Sequence, residues 1–158
     1  MGNAATMEGI DSVSGSLAQC YITLDGRRYN FMQLINFESK MENKVSSIPI
    51  LGKTGKGHKP AGWEGTWSGK AHYNQSIMRK MLKEYKKTGK MESFIIQVTN
   101  EDPTSTVGRQ TIVHYGCLFS GGTLAKFDAN AEYLDEDLSG TFEDWDMPEE
   151  FNLLPGMV

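Results

Sequence analysis

The chain has 158 residues, 39% hydrophobic and 23% charged, which is one domain's worth of ordinary globular composition and argues against a disordered class. No apolar run approaches the roughly 20 residues that span a bilayer, and Met1–Gln19 lack the basic-then-apolar order of a secretory signal; no membrane partner is expected, and folding in a cytoplasm is. The net charge of −4 hides a polarity: residues 1–90 carry 14 Lys and Arg against 7 Asp and Glu, whereas residues 128–158 carry 10 acids and no Lys or Arg. A bipolar subunit of this kind suits assembly through complementary patches. Nucleic-acid binding is disfavoured, because the basic residues are spread over loops and one helix with no aromatic-rich basic strand among them.

Residues 1–18 are rich in Gly, Ala and Ser without periodicity and are read as a flexible arm. Residues 19–24 and 27–37 flank Asp25-Gly26, the two-residue connection that favours positive φ and hence a β-hairpin. Alternation puts Tyr29, Phe31, Ile35 and Phe37 on one face of the second strand. From Lys44 to Trp63 the apolar patch Ile48-Pro49-Ile50-Leu51 precedes a stretch with four Gly and a Pro, so a long mobile loop is expected over 44–63. Residues 64–73 alternate again, with Gly65, Trp67, Gly69 and Ala71 inward and Thr66, Ser68, Lys70 and His72 outward.

Asn74 or Ser76 can cap a helix over about 75–88 with Ile77, Met81, Leu82 and Tyr85 on one side, and Gly89 ends it. Strands follow over 92–100 and 109–119, then Gly121-Gly122 marks a turn. Residues 123–134 alternate Ala125, Phe127, Ala129, Ala131 and Tyr133 against Lys126, Asp128, Asn130 and Glu132, and a last strand covers about 138–146. The expected architecture is mainly β: two packed antiparallel sheets forming a β-sandwich or barrel over residues 19–151, with one flanking α-helix and a short tail at 152–158.

Motifs for chemistry fail one by one. Gly52-Lys53-Thr54 ends like a phosphate-binding loop, but Ser47 stands where its first glycine belongs. Asp128-Ala129-Asn130-Ala131-Glu132 begins like a calcium loop and then has Tyr133 at the glycine position. His58, His72 and His114 have no metal-ligand spacing with each other or with Cys20 and Cys117, which sit in apolar stretches as reduced core thiols. No Gly-x-Ser-x-Gly elbow is present. Neither catalysis nor a cofactor is expected.

The closing segment Gly140-Thr141-Phe142-Glu143-Asp144-Trp145-Asp146-Met147-Pro148-Glu149 resembles the end of the tail tube proteins of PBSX-like contractile phage tails. Earlier elements agree in order and spacing: Leu24-Asp25-Gly26, Phe37-Glu38-Ser39-Lys40, a Gly-rich stretch, then Gly65-Thr66-Trp67-Ser68-Gly69. The resemblance covers about residues 19–151. It implies an Hcp-like tube fold, six copies per ring, rings stacked head to tail, and a hollow conduit for DNA or ions inside a sheath. Its partners would be further copies, the tail sheath, and baseplate, tape measure and terminator proteins. DNA would pass without specific binding, and the location would be a virion tail assembled in a host cytoplasm. A secretion-system tube of the Hcp type and a monomeric β-barrel binding module are the alternatives.

On that footing Ile48, Ile50, Leu51, His58 and Trp63 are candidates for ring stacking, because apolar residues beside glycines need cover. Thr66, Ser68, Lys70, Lys126, Asp128, Asn130 and Glu132, the polar faces of two expected strands, would look into the lumen or across a seam. Glu143, Asp144 and Asp146 would make outer or lateral acidic contacts.

Overall fold

Asp25 and Gly26 take φ of 56° and 77°, the paired positive values of a type I′ turn. They join β1 (Ala18–Leu24) to β2 (Arg27–Asn30), with Leu24 opposite Arg27, as the sequence leads one to expect. The second strand does not run on to residue 37. In the computed structural model, which describes residues 6–157, the chain turns at Phe31–Gln33 and β3 (Leu34–Ile48) leaves for a second sheet. A bulge between Leu34 and Asn36 then shifts the alternation, so Leu34 and Phe37 pack inward and Ile35 is left exposed.

The largest departure concerns residues 44–63. They are a two-stranded arm, not a loop: β3 pairs β4 (Gly57–His72) from Leu34 opposite Ala71 out to Ile48 opposite Gly57, and only 49–56 form the turn. Gly62 and Pro60 are loop signals by residue type, yet both are tolerated in this arm. Beyond Gly65 the second edge of β4 has no partner, so a proline with no donor costs the ladder nothing, and Gly62, at φ 117°, lies near the register shift between Asn43 and Val45.

Helix α1 (Ile77–Thr88) ends at Gly89 in the left-handed region, whose N–H donates to the Tyr85 carbonyl. Ser76 is its N-cap by position, but its hydroxyl makes no capping bond. The strands β5 (Phe94–Glu101), β6 (Arg109–Gly122), β7 (Asp135–Phe142) and β8 (Asp144–Glu149) complete the antiparallel order β2-β1-β5-β6-β7-β4-β3, with β8 beside β6. β6 belongs to both layers. Its first half pairs β5 and β8 and its second half pairs β7, and the bend falls at Gly116, φ 64°. The single last strand expected at 138–146 divides at the matching point, Glu143, whose N–H donates to the Tyr115 carbonyl at 3.0 Å.

Residues 123–134 form no strand. Their alternation is genuine, but β6 and β7 already pair directly, Gly122 opposite Leu138, so the segment is only the connection between them and pairs with no strand among the described residues. Between the layers lies the core. Trp67, 3% exposed, stacks on Phe37 at 6.0 Å and meets the edges of Phe94 and Phe119, with Ile22, Ile96, Leu138 and Phe142 around them. Met78 of α1 closes one end.

The arm expected free at 1–18 lies partly outside the described residues, at Met1–Ala5; from Glu8 to Leu17 it is tied down. Asp11, buried, accepts hydrogen bonds from the Thr106 N–H and hydroxyl at 3.0 and 2.7 Å. Asp102 reciprocates across the same joint by accepting the Ser14 N–H, and its bonds to Thr104 and Ser14 hold its carboxyl below the ordinary range. Asn152, at the start of the tail, donates its N–H to the Val107 carbonyl at 2.7 Å, so both ends of the chain meet the β5–β6 connection.

Candidate assembly interfaces

Three surfaces gather the candidate residues, and the arm is the most distinct. Ile48, Ile50, Leu51, His58 and Trp63 all fall on it. From Met41 to Glu64 every residue but Gly57 is exposed. Ile50 folds back over Gly57, where a β-carbon would fall 2.6 Å from its Cδ1, and the Lys53 N–H closes the turn onto the Ile50 carbonyl. That leaves Leu51 as the knob, its side chain wholly in water. Trp63 sits near the root, opposite Asn43, its ring 6.2 Å from that of Phe142. His58 lies near the tip, opposite Ser47.

The second surface is the outer face of β3, β4 and β7. Thr66, Ser68 and Lys70 share it as expected, opposite Thr141, Ser139 and Asp137 on one side and Lys40, Glu38 and Asn36 on the other. The Ser120 and Ser139 hydroxyls extend it with a 2.8 Å hydrogen bond. Lys126, Asp128, Asn130 and Glu132 do not form a second polar strand beside it. Only Lys126 reaches this region, donating to the Asp135 carboxylate at 3.1 Å, and this bond, with the nearby Lys70, holds the Asp135 carboxyl below its ordinary range. Asp128, Asn130 and Glu132 stay exposed on the connection, alongside Phe127 and Tyr133. Sequence reasoning missed the contribution of β7, although Glu136, Leu138, Gly140 and Phe142 alternate with Asp137, Ser139 and Thr141 without a break.

Glu143, Asp144 and Asp146 make the third surface, on and just before β8. All three are exposed, and Asp144 and Asp146 accept the N–H of the residue that follows each. Trp145 and Met147 lie among them, partly exposed. Trp145 donates its indole N–H to the Met41 sulfur, and beside them opens a cleft of about 370 Å³ whose wall mixes apolar Phe37, Ile112 and Phe142 with polar Lys40, Asn100 and Gln110.

At the floor of the cleft His114 bridges the two layers. Its Nδ1 faces the Ile96 carbonyl at 3.0 Å and must carry the proton, so Nε2 accepts from the Ser39 hydroxyl at 2.8 Å. Burial outweighs the carbonyl bond and lowers its pKa. Phe37 and Phe142 flank the ring. A serine–histidine pair without an orienting carboxylate, enclosed by aromatic rings, acts here as a tie between sheets. Burial pushes the Cys20 and Cys117 thiols up to about 12, with their mutual proximity adding to Cys20, so neither ionises near neutral pH.

A family model described as phage tail tube protein matches residues 5–149. The Phage-like element PBSX protein XkdM of Bacillus subtilis (strain 168) is 28% identical over 142 residues, covering 90% of this chain and 94% of its own. Among solved structures, the anti-feeding prophage tube terminating cap superposes with a TM-score of 0.65 at 11% identity, over 93% of this chain and 98% of that one. The sheath-tube complex of an extracellular contractile injection system gives 0.62 at 9% identity, over 82% and 87%. These likenesses establish the tube fold.

Proposed function

Because the chain belongs to the phage tail tube protein family, we propose that its copies close into six-membered rings that stack head to tail into a hollow conduit. The observation that carries this is the arm: a paired hairpin with an apolar tip that the described residues cover little, leaving Leu51 wholly and Ile48 and Ile50 partly in water in a lone subunit. A patch of one kind on one copy meeting a different patch on the next gives heterologous contacts, which close into rings around one axis and propagate along another.

The polar face of β3, β4 and β7 is the reading for the lumen. Its lysines are neutralised, Lys40 beside Glu38 at 3.3 Å and Lys70 near Asp135 and Asp137, and the rest is largely hydroxyl. A wall with no free cation releases few counterions from passing DNA and so does not hold it. The acidic β8 surface is left for lateral or outer contacts, including a sheath. In this reading the protein is structural and non-catalytic, works with sheath, baseplate, tape measure and terminator proteins in a virion tail, and is assembled in the host cytoplasm.

Size-exclusion chromatography with negative-stain microscopy of the purified chain tests it. Hollow tubes are expected once growth is nucleated; isolated rings point to a secretion-type tube. A monomer at all concentrations, even with preformed tube ends added, overturns the reading in favour of a binding module.

A further inference from the structure

The arm carries its knob at one end and the cleft lies at its other end. We propose that Leu51 at the tip of one copy's arm seats in the cleft at the arm root of a neighbouring copy, with Lys53 and Lys56 beside that copy's Asp144 and Asp146. This rests on the head-to-tail stacking above and names its contact.

Shape and charge both select this occupant. The cleft is open and rimmed by Met41 and Trp145, with Phe37, Ile112 and Phe142 as apolar wall beside the polar Asn100 and Gln110, while Leu51 is fully exposed on a turn whose conformation Ile50 and Gly57 fix. Between Glu42 and Glu64 the arm holds Lys44, Lys53, Lys56 and Lys59 and no acid; residues 143–150 hold five acids and no Lys or Arg. Among the described residues, none of these four lysines has an ion pair within the chain, nor have Glu143, Asp144 and Asp146. Glu149 is already taken by Arg109 at 2.6 Å and is left out of the contact. Opposite charges that find no partner among the described residues, one set beside a knob and the other beside a hole, are complementary between copies.

Geometry makes the contact repeat. Met41 and Ile48 are seven residues apart on one strand, roughly 23 Å at about 3.3 Å per residue. A tip seated at a neighbour's root leaves one tip and one root free at the ends of any chain of copies, so growth continues. The same span forbids the contact within a copy.

Cysteine pairing tests it directly. Cys117, buried, and Cys20, partly buried, both with thiols pushed up to about 12, can stay in place. A chain carrying Leu51→Cys, mixed with a larger tagged chain carrying Asp146→Cys under mild oxidation, should give a disulfide-linked heterodimer. One chain carrying both should give a ladder, because a disulfide needs Cα atoms within about 7 Å and these two cannot meet internally. Leu51→Cys mixed with Asn130→Cys should give neither. Lys53→Asp with Lys56→Asp, and separately Asp144→Lys with Asp146→Lys, should each cut polymer at least about tenfold, and all four together should restore it to within about twofold. If wild-type tubes form but the 51–146 link is absent, or the fourfold variant is no better than either pair, this contact is wrong and stacking stands. If the wild-type chain forms neither tubes nor rings, the stacking reading fails first and this contact with it.

Discussion

The two halves of the β3–β4 hairpin share one hydrogen-bonded ladder and differ in almost everything else. Near the root, Gly65, Trp67 and Ala71 are buried against the second sheet, and Gly69 leaves no room for a β-carbon, which would fall 2.6 Å from the Asn36 carbonyl oxygen. From Glu64 outward the same strands continue with every residue but Gly57 exposed. Backbone pairing therefore says little about what a strand is for; the cover over its side chains does. The root is built for the subunit's own stability and the distal arm for a partner.

The comparison is most easily broken at the root. A β-carbon at Gly140, which faces Trp67 across β4 and β7, would fall 1.9 Å from the Leu118 carbonyl oxygen and 2.6 Å from Trp67 Nε1. Since a carbonyl cannot yield without breaking the sheet, Gly140→Val should cost about 3 kcal/mol or more in urea unfolding. A loss under about 1 kcal/mol would mean the root is not packed as described.

A smaller effect tests the tie between the layers. His114 has its pKa depressed in the folded chain, so on acidification below about 6.5 the unfolded chain takes up the proton first. Stability present above that pH should fall as pH drops, by up to about 1.4 kcal/mol per unit, until the depressed folded value is passed. His114→Gln should be less stable at pH 7 but show a flatter decline between pH 7 and 5.5. Equal slopes in the two proteins would remove His114 as the cause.

The smallest change in subunit stability is expected where the largest change in assembly is. Replacing residues 44–62 with an Asn-Gly turn should shift unfolding of the monomer by no more than about 1 kcal/mol, because nothing buried is lost, and should leave no tubes. Normal polymerisation by this variant would erase the distinction between root and arm.

Much of this was legible in the residues because some rules act locally. Positive φ at Asp25-Gly26, the left-handed cap at Gly89, the inward face of residues 65–71 and the choice of Thr66, Ser68 and Lys70 as a shared polar row all follow from steric preference and alternation over a few positions. The charge contrast between the arm and residues 143–150, and the mainly β class, are likewise properties of the chain alone.

Tertiary structure decided where those rules run out. A period of two says which face a residue occupies but not whether a partner strand exists, so residues 44–63 proved to be paired while the cleaner alternation of 123–134 proved to be a bare connection. One bulge moved Ile35 outward, and the crossing of β6 at Gly116 split the last strand at Glu143. The joints made by Asp11 and Asp102 join residues more than 80 apart, and the cleft under Trp145 exists only because Met41 of β3 and Trp145 of β8, 104 residues apart, come into contact. Ladder partners and cavities are chosen by burial shared between distant segments, and that quantity has no value until the chain has folded.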